Sequence, residues 1–157
     1  MLRLNLPEYD FSVKSAAGGL QIFDATRKRW VALTPEEWVR QNFLQYLIIE
    51  KNFPRQWLAV EMTIPYNTML KRGDIVLFGK NKKPVLLVEC KAPHVKISQA
   101  AFDQAARYNL VLGVCYLIIT NGMEHYCCSM NHENRSYTFL KEVPAYSEVE
   151  KSHKLQR

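Results

Sequence analysis

Two apolar runs separated by a polar turn constrain the fold of this 157-residue chain more than any other feature. The runs cover residues 74–78 and 85–90, and both are rich in β-branched side chains, whereas Gly79–Lys83 between them is polar. This pattern predicts two strands of an antiparallel hairpin. The midpoint between Asp74 and Glu89 falls inside the turn, so the two residues are predicted to lie opposite each other with β-carbons ~5 Å apart.

The rest of the pattern predicts an α/β fold in which helices cover a mixed sheet, a restriction-endonuclease-like α/β/α core. A first helix begins at Thr34-Pro-Glu-Glu37, which supplies an N-cap, a first-turn proline and a capping-box glutamate, and is expected to end near Asn52. A second helix is predicted over 97–112, with Ser98 as its cap. Further strands are predicted at 20–24, 30–33, 58–64, 114–120, 125–130 and 137–140.

The length fits one domain. We expect an N-terminal hairpin at about 20–33, a core at about 34–122, and a C-terminal hairpin and tail at about 123–157, with the polar tail frayed after Tyr146.

Composition favours a cytoplasmic protein with a polyanionic partner. The first residues do not show the pattern of a signal peptide, and no apolar run approaches the ~20 residues that cross a bilayer. The four cysteines lack zinc-like spacing, which favours burial in a reducing compartment. The net charge of +6 suits a nucleic acid, because each neutralised phosphate releases counterions.

Three charged residues converge at one end of the predicted hairpin. Lys91 is two residues beyond Glu89, so its side chain leaves the strand on the same face. Carboxylates at Asp74 and Glu89 could share one divalent ion. The alternative is a structural ion pair at the strand end, joining Lys91 to Glu89 or Asp74.

Four ordered motifs carry a resemblance to a known family. They are Arg72-Gly-Asp-Ile-Val76, Leu87-Val-Glu-Cys-Lys-Ala-Pro93, Phe102-Asp-Gln-Ala-Ala-Arg-Tyr-Asn109 and Thr120-Asn-Gly122. Together they resemble the PD-(D/E)xK nuclease domain at the N-terminus of type I restriction enzyme R subunits.

The resemblance implies a role for each matching residue. Asp74, Glu89 and the backbone carbonyl of Cys90 would bind Mg²⁺, for which Mn²⁺ can substitute, and Lys91 would orient the attacking water. Gln104 and Tyr108 match the Q-x-x-x-Y element of the family and share one helix face. Their alternative is a polar helix surface with a partly buried tyrosine.

Other candidate site residues are open to two interpretations. Glu37 is either a metal ligand or only the capping-box partner of Thr34, and capping explains it without chemistry. Glu61 could join the acidic cluster or face solvent, and His94 is expected in a loop. Three basic residues are predicted, with Tyr108, to contact nucleic acid: Lys71, Arg72 and Arg107.

We expect a metal-dependent endonuclease acting on DNA, as a homodimer or with subunits of a restriction system. The alternatives are a nuclease-fold module that binds DNA or a partner subunit without cutting, and a structural domain. No G-x-x-x-x-G-K-[ST] phosphate loop occurs in the sequence, so ATP hydrolysis is not carried over from the family.

Overall fold

Two β-sheets and three α-helices make up the part of the chain that the computed structural model describes, residues 1–66 and 68–155. A small antiparallel sheet comes first, built from β1 (Val13–Ala16), β2 (Gly19–Asp24) and β3 (Arg29–Ala32). Helix α1 (Pro35–Ile49) follows, and a 3-10 turn at Arg55–Trp57 leads into the main sheet. The predicted N-terminal hairpin is thus present as β2 and β3, with one additional strand, β1.

The main sheet has six strands in the order in which they occur along the chain. Helix α2 (Gln99–Leu112) connects the third strand to the fourth, and these two are parallel, whereas all other neighbours are antiparallel. The strands are β4 (Leu58–Tyr66), β5 (Met69–Phe78), β6 (Pro84–Cys90), β7 (Tyr116–Thr120), β8 (His125–Asn131) and β9 (Ser136–Leu140). The predicted mixed α/β arrangement is confirmed.

The register of β5 and β6 is the predicted one. Val76 pairs with Leu87, and the flanking pairs keep the same offset until an irregularity near the turn. Side chains alternate between two cores: Ile75 and Val88 pack on the α1 side, whereas Val76 and Leu87 pack on the α2 side. The hairpin is therefore buried on both faces.

Capping side chains fix where the two long helices begin. Thr34 Oγ1 accepts a hydrogen bond from Glu37 N at 3.1 Å, and Ser98 Oγ accepts one from Ala101 N at 3.1 Å. Helix α1 ends at Ile49, earlier than predicted, and Asn52 adopts a φ of 60°, which a helix cannot contain.

The expectation of a frayed tail was wrong. Residues Tyr146–Leu155 form helix α3, which buries Val149 completely in the core on the α1 side. Tyr116 also donates a hydrogen bond to Ser152 Oγ at 2.8 Å. Among the described residues, no helix has the length and apolar character needed to cross a membrane.

Candidate active site

A cleft of about 550 Å³ opens at the end of the β5–β6 hairpin. The pairs between β5 and β6 end at Ile75 and Val88. The earlier residues of β5 pair with β4, and the later residues of β6 pair with β7. The cleft is lined by residues of β5, of the end of β6 and the loop after it, of α2 and of β7. The lining residues from β5 and β6 and the adjoining Lys91 are Leu70, Lys71, Arg72, Glu89 and Lys91.

Asp74 is adjacent to this opening, directly before Ile75, just as Glu89 directly follows Val88. Its Oδ2 accepts a hydrogen bond from the backbone N–H of Cys90 at 2.7 Å. Burial raises the pKa of the Asp74 carboxyl to about 6, and the negative charges of Glu36 and Glu89 act in the same direction, whereas the Cys90 hydrogen bond and Arg72 oppose the rise. The surroundings of Asp74 therefore compensate its charge only in part.

Glu89 has a cationic partner, but this partner is not Lys91. Lys71 Nζ lies 3.2 Å from Glu89 Oε1 and also 4.8 Å from the ring centroid of Tyr108. Within the described part of the chain, Lys91 forms no ion pair with either carboxylate, although it lines the same cleft. The alternative, a structural ion pair of Lys91 with Glu89 or Asp74, is thus not observed among the described residues.

Helix α2 contributes Gln104 and Tyr108 to the cleft, as the i and i+4 spacing predicts. Gln104 is exposed, whereas Tyr108 is half-buried beneath Lys71. Arg107 is exposed on the same helix, does not line the cleft, and donates from Nε to Asp103 O at 3.3 Å. His94 is exposed in the loop after β6, as expected, and lies outside this cleft.

A buried ion network next to the site was not anticipated from the sequence. Arg40, only 1% exposed, lies 2.7 Å from Asp24 Oδ2 and 2.5 Å from Glu37 Oε1 through its Nη2 atom. Burial lowers the pKa of Arg40, but hydrogen bonding and charge from Glu37, and charge from Asp24, raise it more. The one sequence signal is the Glu37 and Arg40 spacing of three residues, which places both on one helix face.

The network determines what Glu37 does. Its carboxylate accepts hydrogen bonds from Arg27, Arg40 and Gln41. The backbone N–H of Thr34 bonds instead to Ala32 O at 3.1 Å, so the reciprocal half of the capping box is absent. We therefore assign Glu37 to the ion network.

Glu61 lies on β4, the strand that pairs with the Asp74 strand β5. It falls between Val60 and Met62, which pair with Ile75 and Gly73, and has a φ of 53°. Its carboxylate pairs with Arg72 and lies 3.6 Å from Arg40 Nε. Glu61 is thus paired and largely buried, contrary to the solvent-facing alternative.

The site fits a divalent ion that takes few protein ligands. No group of three or more His, Cys, Asp or Glu side chains in the described ranges is arranged to hold a metal. Mg²⁺ commonly uses one or two carboxylates and completes its shell with waters and substrate phosphates. Asp74 and Glu89, which are adjacent in the chain to the last paired residues of the hairpin, could supply two carboxylates, and each raises the negative charge near the other.

Comparison with known proteins agrees with this architecture. A family model described as type I restriction enzyme R protein N terminus (HSDR_N) matches residues 35–144, about two thirds of the chain. The chain belongs to this family. The match contains both carboxylates, Lys91 and the whole of α2, so the motifs quoted from the sequence all lie inside it.

A solved structure shows a similar fold. It is described as a fragment of an HsdR subunit of a type I restriction enzyme from Vibrio vulnificus YJ016, with 21% identity and a TM-score of 0.53. The match covers 77% of this chain, which spans a quarter of the length of that one. At this identity the likeness concerns the fold alone. No match was found among curated proteins.

Proposed function

We propose that this R-protein N-terminal domain is a Mg²⁺-dependent endonuclease of the PD-(D/E)xK type that hydrolyses DNA phosphodiester bonds. One observation supports the proposal: β5 and β6 pair as far as Ile75 and Val88, so Asp74 and Glu89 are the next residues on the two strands, beside a cleft that Glu89, Lys91 and Gln104 line. A cytoplasmic location is part of the proposal, because the four buried thiols suit a reducing compartment.

In the proposed reaction, bound Mg²⁺ would lower the pKa of a coordinated water and neutralise charge on the scissile phosphate. Asp74, Glu89 and the Cys90 carbonyl are the proposed ligands. The Lys91 ammonium orients the water and stabilises the phosphorane-like transition state, and the Gln104 amide positions Lys91 or a phosphate oxygen. The water oxygen bonds to phosphorus as the bond to the 3′ oxygen breaks. The water loses its proton to solvent and the 3′ oxygen gains one, leaving 5′-phosphate and 3′-hydroxyl ends.

Basic residues around the cleft would hold the substrate. Lys71 and Arg72 line it and supply positive charge to the phosphates on either side of the scissile bond. Tyr108 adds a phenol to the lining of the cleft. Arg107, outside the cleft, would contact the backbone only further along the strand.

The test compares variants in one cleavage experiment. Supercoiled plasmid is incubated with wild type, Lys91→Ala and Asp74→Ala, with Mg²⁺ or with chelator. We expect wild type to cut only with Mg²⁺. Lys91→Ala should lose cleavage by ~10² or more while calorimetry shows little change in Mg²⁺ affinity, because Lys91 acts in the transition state. Asp74→Ala should lose both metal binding and activity.

Control measurements separate catalysis from folding. Thermal melting of Lys91→Ala should match wild type, because Lys91 makes no ion pair in the described structure. Lys151→Ala, a change at an exposed lysine of α3 that does not line the cleft, should retain cleavage. A wild type that binds DNA but never cuts with Mg²⁺ or Mn²⁺ would support the non-cleaving module instead.

A further inference from the structure

A second groove, of about 490 Å³, lies between the N-terminus of α2 and the β8–β9 hairpin. We call it the aromatic groove; its lining includes Phe102, Tyr126, Phe139 and Lys141. Tyr126 and Phe139 are large rings that remain 37% and 46% exposed. Exposed rings that are grouped on one surface mark candidate binding sites, and this groove is such a surface.

The rings are held in place from below. Phe139 packs against Phe102 with centroids 4.7 Å apart and against Tyr137 at 5.6 Å, with an interplanar angle of 83° for the second pair. Cys128 pairs with Phe139 across β8 and β9, so Tyr126, two residues before Cys128, projects from the same face. The groove therefore offers prearranged ring surfaces that need little ordering on binding.

The aromatic groove borders the candidate active site. Ile97 lines both, and its neighbours divide between them: Lys96 lines the cleft and Ser98 lines the groove. Further along α2, Ala101 faces the cleft and Phe102 the groove. The cleft and the groove therefore meet at Ile97, just before the start of α2.

The charge along this route suits a polyanion. Among the described residues that line the groove there is no Asp or Glu, and Lys141 is its cation. Lys96 lies at the junction with the cleft. Two carboxylates next to lining residues, Glu124 and Asp103, bond to the hydroxyl groups of Tyr126 and Tyr137, and a third, Glu142, is exposed next to Lys141.

We propose that the aromatic groove binds single-stranded DNA that continues from the active site, with unpaired bases stacked on Phe139 and Tyr126. The choice of DNA as occupant rests on the proposed function. Stacking needs a free base face, which a duplex does not offer, and every base has one, so such a surface binds single strands with little sequence preference. The proposal narrows the substrate class to DNA with an unpaired segment beside the scissile bond.

The test measures binding without cleavage. Fluorescence anisotropy with a labelled 20-nucleotide oligo(dT) in EDTA compares wild type with Phe139→Leu, which keeps an apolar side chain but removes the ring. We expect about a tenfold weaker Kd for Phe139→Leu, about 1.4 kcal/mol, and an unchanged Kd for Phe139→Tyr. Affinity for a 20-base-pair duplex should not change.

A matched control is Trp30→Leu, because Trp30 is 37% exposed but lies on β3 of the other sheet. This variant should bind oligo(dT) like wild type. The inference is overturned if wild type does not bind oligo(dT), or if Phe139→Leu lowers the affinities for single strand and duplex together. It is also overturned if Phe139→Leu binds oligo(dT) as well as wild type, which is the result expected if the groove is a docking surface for another protein. If wild type never cuts plasmid but Phe139→Leu still lowers the affinity for oligo(dT), the proposed nuclease activity is refuted and the assignment of the groove as a single-strand binding site stands.

Discussion

Replacing Asp74 by Asn should stabilise the fold at neutral pH while removing metal binding. The Asp74 carboxyl has a folded-state pKa of about 6, against 3.8 in the unfolded chain, because burial and like charges disfavour its ionised form. An Asn side chain has a similar shape and a carbonyl oxygen that can still accept from Cys90 N, but it never ionises. The variant therefore avoids the cost that wild type incurs when Asp74 loses its proton.

The sign and size of this effect follow from linkage. Between pH 3.8 and about 6 the folded state retains a proton that the unfolded state has released, so stability falls as pH rises through this window. A shift of about 2 pKa units corresponds to about 3 kcal/mol. The free energy of unfolding of Asp74→Asn should exceed that of wild type by up to about 3 kcal/mol at pH 7.5 and by less than about 1 kcal/mol at pH 4.

Thermal melting at both pH values, in chelator, measures the difference. A gain of about 3 kcal/mol corresponds to roughly 5–10 °C for a domain of this size. Added Mg²⁺ should raise the melting temperature of wild type alone, since ligands that bind the folded state stabilise it. Glu133→Gln is the control: it removes one negative charge at an exposed turn position and should shift neither curve.

Two results would refute this reasoning. An Asp74→Asn variant that is no more stable than wild type at pH 7.5 would show that the carboxylate is not held at an energetic cost. A stabilisation of equal size at pH 4 and pH 7.5 would trace the gain to packing or hydrogen bonding instead of ionisation.

Two further predictions concern the ion network and the number of DNA strands that one active site cuts at a time. Arg40→Met should lower the free energy of unfolding by ~3–5 kcal/mol in urea titrations, because it leaves the buried carboxylates of Asp24 and Glu37 without their main cation; a loss under about 1 kcal/mol would contradict this. Plasmid cleavage should pass through a nicked circle, since one centre cuts one strand at a time. A monomer that linearises plasmid without that intermediate would contradict the second prediction.

The sequence predicts the main hairpin well because its determinants are local. A polar turn between two apolar runs fixes the pairing, and slipping by one residue would move Val76 and Leu87 into the wrong core. Helix starts at Thr34 and Ser98 are equally local, since each cap bonds to a backbone N–H three residues ahead.

Features that depend on distant partners were missed or left open. Asp24 and Arg40 are 16 positions apart, and neither residue indicates from its own surroundings that the other will neutralise it. The largely polar sequence of helix α3 predicts a frayed tail, whereas in the structure Val149 packs in the core and Ser152 accepts a hydrogen bond from Tyr116, and such tertiary contacts stabilise a short helix.

The identity of the cation beside Glu89 bears most directly on function. A structural role for Lys91 requires it to neutralise one of the two carboxylates, because a buried ion pair needs both members. In the structure Lys71 takes that position at 3.2 Å from Glu89, while Lys91 lines the same cleft without pairing to either carboxylate in the described residues. Lys91 is thus a cation that the described ion pairs do not require, and Asp74 is a carboxylate whose charge they do not fully compensate. An additional divalent ion and a phosphate would satisfy both, and on this argument we favour the nuclease proposal over a purely structural role.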